Sequence, residues 1–283
     1  MFAALDQLAI APLVVTGIFS ALVALIVLPP IIALVRLPPQ TGQDRAVTAP
    51  PTSTAAAADR AGARLLLAVL GGLLVAVAAV PLAVLVRSEY APVVRLDVRT
   101  SAAAEAAVSG SAPLLALARA VTLLGEPVLM TVAAAALVVA LAARGRSRLA
   151  LYVLLARVGA LVLSSGLKLA VDRSRPVFDE PVATALGASF PSGHALGSAA
   201  FWVTTAVLLV PRTRHPRLLL GAAVAVAVAV AASRVLLGVH YLSDVTGGLL
   251  LGLGWAALLT AVFTAWRADE GRPVDPLQQG VDP

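Results

Sequence analysis

Long apolar runs separated by short polar breaks organise this chain. The first run covers residues 10–35, is interrupted by Pro29-Pro30 and closes at Arg36. A membrane-crossing helix needs about 20 apolar residues, so this run is long enough to span. A cleaved signal peptide is the competing reading; the length of the run and the lack of a basic residue before it favour a retained span. Residues 37–63 change character, with Pro38-Pro39, Pro50-Pro51 and a remainder rich in Ala and Thr. That is the composition of a flexible linker. Arg64 and Arg87 bracket a second span.

A long interspan segment follows at 88–125. Within it Leu114, Leu117, Val121 and Leu124 recur at helical spacing. The period predicts a helix lying in the membrane interface, or one packed over the mouth of the bundle. Glu126-Pro127 is a favourable helix start for the third span, which ends before Arg144. Spans four to seven are predicted at about 149–171, 194–210, 218–237 and 244–266, with a tight turn at 239–243 between the last two. No internal repeat is visible. The expectation is an all-α, polytopic transmembrane helical bundle. It comprises an N-terminal span (1–36), a flexible cytoplasmic linker (37–63), a six-span core (64–266) and a polar C-terminal tail (267–283).

Composition agrees with that pattern. Of 283 residues 60% are hydrophobic and 13% charged, against about 45–50% and about 25% in soluble domains. With no cysteine, disulfides and thiolate metal sites are excluded. The net charge of +6 does not point to nucleic acid, because no nucleic-acid motif accompanies it. Its Arg residues sit mostly in short loops, where they set membrane orientation. Counting alternate loops, the Arg144–Arg148 and Arg212–Arg217 turns share one face with the linker and the tail. Each turn carries three arginines, so that face is predicted to be cytoplasmic, the chain lying in the plasma membrane.

Three polar clusters interrupt the apolar background: Lys168 to Pro176, Pro191 to His194, and Ser233 to Asp244. Span order brings all three to the face opposite the Arg-rich turns, the extracytoplasmic one. Lys168 is the single lysine among 21 basic residues, a hint that a compact ammonium is wanted there. His240 and Asp244 stand four residues apart and project from one face if the last helix extends back to His240. A carboxylate on one imidazole nitrogen fixes the tautomer and leaves the other free to attack. His194 follows Ser192-Gly193 at a predicted helix start, where N–H groups and the positive dipole end attract anions. Lys168, Arg175 and Arg234 supply charge matched to phosphoryl oxygens. Asp172 and Arg173 read as an interfacial ion pair. Arg157 lies inside span four, either facing a cavity or held in a structural contact. His215 falls on the opposite face and is left out of the site.

Together and in this order the clusters resemble the type 2 phosphatidic acid phosphatase family, which shares its core with vanadium haloperoxidases and glucose-6-phosphatase. The family signatures K-x6-R-P, P-S-G-H and S-R-x5-H-x3-D are all present. The resemblance implies a metal-independent lipid phosphatase with no cofactor. His240 would form a phosphohistidine, Asp244 would orient it and His194 would protonate the leaving oxygen. Lys168, Arg175, Ser192, Gly193 and Arg234 would bind the phosphate. The implied partner is a lipid phosphate in the bilayer: undecaprenyl diphosphate, phosphatidic acid or phosphatidylglycerol phosphate, the outward-facing site leaning toward the first. A lipid-linked phosphotransferase using an alcohol acceptor is the alternative enzyme. A haloperoxidase needs no seven-span body. A transporter or flippase would place its charges at mid-depth, not at one face.

Overall fold

The computed structural model describes residues 79–269, with side chains through residue 263. The predicted first span, the linker, the first part of span two and most of the tail lie outside the described residues. Helix α1 (79–87) leads through a turn to α2 (Ala91–Ser109) and α3 (Ala112–Thr122). A 3-10 turn, Leu123–Gly125, joins α3 to α4 (Pro127–Ala142). Then come α5 (Ser147–Val171), α6 (Gly193–Leu209), α7 (Pro216–Leu236) and α8 (Leu242–Asp269). Among the described residues there is no strand. Five segments among the described residues are long and apolar enough to cross a membrane: Ala112–Ala142, Ser147–Val171, Gly193–Arg212, Pro216–Leu236 and Leu242–Phe263. They match predicted spans three to seven, the first of them extended backward by α3.

Local chemistry explains most helix ends. Proline occupies the first turn of α2, α3, α4 and α7, where its missing N–H costs nothing. Ser111 and Ser192 cap α3 and α6 by accepting from Leu114 N and Ala195 N. Helix α5 stops at Asp172, which takes the left-handed conformation with φ 46°.

Helix α6 is the centre of the bundle, packed on α5, α7 and α8. Its seam with α8 depends on two glycines. A Cβ on Gly248 would lie 2.7 Å from the Ser192 carbonyl oxygen, and one on Gly252 would lie 2.5 Å from that of Leu196. Small residues of this kind let membrane helices approach closely where no hydrophobic drive pulls them together. Met130, Leu137, Leu141, Tyr152 and Trp202 form the main core. Val128, Val139, Val162 and Leu169 stay exposed on the outside of the bundle, as lipid-facing positions do.

The helix expected from Leu114 to Leu124 within the 88–125 segment is α3, and α2 precedes it without an apolar period to announce it. Helix α3 packs over the mouth of the bundle: Ala118 is buried against Leu237 and Val239, and Arg119 donates to Val182 O at 3.0 Å. The intramembrane Arg157 is held structurally. It donates to Thr131 Oγ1 and to Pro127 O at 2.7 Å, pinning the start of α4.

Candidate active site

The C-terminal ends of α5 and α7, the N-terminal ends of α4, α6 and α8, and the loop between α5 and α6 meet at one end of the bundle. Every residue singled out in the three polar clusters lies there. The Arg-rich turns occupy the opposite end.

His240 and Asp244 meet, although the last helix does not extend back to His240. Helix α8 begins at Leu242, so His240 sits in the turn before it. Asp244 reaches back from the first turn: Oδ2 accepts from Tyr241 N at 2.8 Å, the carboxylate half of a capping box. The same oxygen lies 3.5 Å from His240 Nδ1 and accepts a short hydrogen bond from Ser189 Oγ. Ser189 Oγ is also 3.3 Å from His240 Nδ1. On the other side of the ring, Arg175 Nη1 lies 3.1 Å from His240 Nε2. A guanidinium can only donate, so Nε2 must be the acceptor and the proton resides on Nδ1, toward Asp244. Burial pushes the imidazole down to about 4, against the upward pull of the Asp244 carboxylate. His240 is therefore neutral near pH 7, its tautomer fixed and its Nε2 lone pair pointing at a cation.

Arg175 is fully engaged. Nε donates to Gly187 O, Nη2 to Leu186 O and Ala188 O, and Nη1 to Val239 O and His240 Nε2. All five of its N–H groups have acceptors. The guanidinium thereby straps the α5–α6 loop across the turn that carries His240.

At the start of α6 the chain presents backbone donors of the kind that can hold an anion. Ser192 N donates to Asp244 O at 3.0 Å, tying this turn to α8. Gly193 and His194 keep backbone N–H groups with no acceptor among the described residues, as expected of a first helical turn. Gly193 leaves little space: a Cβ there would lie 3.3 Å from Ser164 Oγ. The His194 Nε2 atom lies 3.1 Å from Glu126 Oε2. Arg234 is buried and donates from Nη1 to Thr122 Oγ1 at 2.8 Å, while its Nε has no partner among the described residues. The charges of Lys168, Arg175 and Arg234 all bear on His194.

The pairing expected of Asp172 and Arg173 is not what forms. Asp172 terminates α5, whereas Arg173 bridges two buried carboxylates, Asp97 at 2.7 Å and Asp244 at 2.8 Å. Burial opposes the Arg173 charge, but the two carboxylates more than offset it and hold the guanidinium above its usual value. Its face also covers the Tyr241 ring, 4.1 Å from the centroid. Asp97, 1% exposed, accepts from Ser243 N at 2.9 Å and from Ser243 Oγ at 2.6 Å, anchoring the first turn of α8. Sequence reasoning missed Asp97, Ser189 and the contact of Glu126 with His194. Asp97 and Glu126 lie about 70 or more residues from their partners, beyond any local spacing signal.

Comparison with known proteins agrees with this geometry. The sequence model of the PAP2 superfamily matches residues 148–268. Phosphatidylglycerophosphatase B of Bacillus subtilis is 38% identical over 96 residues, 32% of this chain and 47% of that protein. A lipid A 1-phosphatase of Rhizobium etli is 39% identical over 113 residues, 37% of this chain and 45% of that protein. The chain thus spans about half the length of these curated relatives. A crystal structure of a transmembrane PAP2-type phosphatidylglycerolphosphate phosphatase from Bacillus subtilis superposes with a TM-score of 0.58 at 27% identity. It covers 68% of this chain and 94% of that one. Residues 148–268, the part of the chain that resembles the PAP2 superfamily, hold all three polar clusters on a bundle similar to that of the Bacillus subtilis phosphatase.

Proposed function

We propose that this multi-pass membrane protein is a lipid phosphatase that hydrolyses a phosphate carried on a membrane lipid. The observation that carries the reading is the pair of imidazoles at one mouth. One has its tautomer fixed between Asp244 and Arg175, and the other stands at a helix N-terminus among three cations. The names of the relatives point the same way, since they are phosphatases of phosphatidylglycerophosphate and of lipid A.

The phosphate sits on the free N–H groups of Gly193 and His194, with Ser192 as the cap that shapes the turn. Lys168, Arg175 and Arg234 balance the charge on its oxygens. His240 Nε2 attacks phosphorus while the bond to the lipid oxygen breaks, and His194 gives that oxygen a proton. Asp244 and Ser189 stabilise the positive charge that develops on His240. Water then attacks the phosphohistidine and His194 takes the water's proton. Orthophosphate leaves and the His240 lone pair is restored. The site faces the extracytoplasmic side and the C-terminus the cytoplasm, because the Arg-rich turns lie at the other end of the bundle.

The test is phosphate release by the detergent-purified protein, with EDTA present, from undecaprenyl diphosphate, phosphatidic acid and phosphatidylglycerol phosphate. Release from at least one is expected, with a phosphohistidine trapped on rapid quenching. No release from any of the three overturns the reading. An added alcohol acceptor that diverts the phosphoryl group reveals a phosphotransferase instead.

A further inference from the structure

Glu126 was read from sequence only as a good first residue for a helix. In the structure its carboxylate is in contact with His194, Oε2 lying 3.1 Å from Nε2. The turn that presents it is held from several sides. Arg234 Nη1 donates to Thr122 Oγ1, Trp202 Nε1 donates to Leu124 O, and Arg157 Nη2 donates to Pro127 O. Gly125 between them touches the backbone of α6: a Cβ there would lie 3.3 Å from His194 O and 2.3 Å from a Val230 methyl. Three helices therefore fix a six-residue turn whose free end meets one imidazole. The Glu126 side chain is 42% exposed and that of His194 13% exposed, so the couple sits where the site opens to water.

We propose that Glu126 is a positioning residue for His194, holding its ring by Nε2 and leaving Nδ1 to carry the proton exchanged with the lipid oxygen. Nδ1 makes no hydrogen bond with any described residue. Besides His240, the charged groups bearing on His194 are Lys168, Arg175 and Arg234, all cations. Glu126 is the carboxylate in contact that offsets them when the ring is protonated. This arrangement mirrors the nucleophile, where a carboxylate holds the His240 ring by one nitrogen and leaves the other to react. The intramembrane Arg157 acquires a purpose as well, since it anchors the turn that carries Glu126.

The inference rests on the phosphatase reading, and its test separates the two. A lipid phosphate has an alkoxide leaving group that needs a proton; 4-nitrophenyl phosphate does not. Glu126→Ala is expected to lower kcat/KM, which reports the step that forms the phosphohistidine, roughly 10- to 100-fold on the lipid phosphate and by about 3-fold or less on the aryl phosphate. Glu126→Gln, which keeps an acceptor without the charge, is expected to fall between wild type and Glu126→Ala. Equal losses on both substrates, or none on either, overturn the inference while wild-type turnover leaves the phosphatase reading standing. A second readout needs no turnover. The chain has three histidines, so isotope-labelled histidine gives three imidazole signals in detergent. The one missing in His194→Asn must shift in Glu126→Ala; an unshifted signal rejects the contact.

Discussion

The two histidines of the site occupy opposite kinds of surroundings. His240 is 2% exposed, contacted at both nitrogens by Asp244, Ser189 and Arg175. His194 touches one partly exposed carboxylate and leaves a nitrogen free. On the proposed mechanism the difference follows from what each ring has to do. An attacking nitrogen must be neutral and aimed, so burial and a fixed tautomer serve it. A proton donor must be reloaded from water each cycle, so an open side serves it. The sequence places both residues in similar short polar clusters, and only packing separates them.

The largest effect that tests this contrast is at the nucleophile. His240→Ala is expected to lower phosphate release about 10,000-fold on lipid and aryl phosphates alike, since no other group replaces the attacking nitrogen. Appreciable turnover of the aryl substrate by this variant would reverse the assignment of the two rings. Asp97→Ala acts on the same pocket from below. Removing one partner of a buried ion pair costs about 3 kcal/mol or more, so a lower thermal midpoint and a reduced kcat are expected together. A fully active, equally stable variant would show that the Asp97–Arg173–Asp244 chain does not hold His240 in place.

Gly248→Ala tests the spacing between the pockets. Its Cβ presses on the Ser192 carbonyl and pushes the start of α6 from α8, with about 1–3 kcal/mol of overpacking. Loss of about 10-fold in kcat is expected, since small misplacements of reacting groups are costly. The smallest effect is in pH. The folded-state pKa of His240 lies near 4, below the unfolded value of about 6.5. The folded state therefore binds fewer protons between these values, and this group's contribution to stability falls as pH drops from 6.5 toward 4. Thermal unfolding of wild type should show that slope and His240→Gln should lose part of it.

Much of the bundle was legible because apolar period and proline punctuation govern membrane helices. Spans three to seven fall within a few residues of their predicted ends. Helix α2 was not legible: its buried face includes Asp97 and Ser101, so no apolar stripe announces it. The three polar clusters carried most of the site through fixed spacing on adjacent helix ends. Arg173 was misread because its nearest acid in sequence, Asp172, is turned away by its left-handed backbone, and the true partners come from α2 and α8. Glu126 was visible only as a helix start, and nothing in its neighbourhood names a histidine 68 residues away.

On the proposed mechanism the saturated guanidinium of Arg175 bears on turnover as much as on binding. An arriving phosphate oxygen gains an N–H of Arg175 only by exchange, and the one acceptor there that is not a backbone carbonyl is the His240 lone pair. Substrate entry would therefore uncover the proposed nucleophile in the act of docking. When orthophosphate is formed, the restored imidazole competes for the same donor and helps to expel it. The resting contact is thus an internal competitor of the product, and it limits how strongly free phosphate can inhibit a site so rich in positive charge.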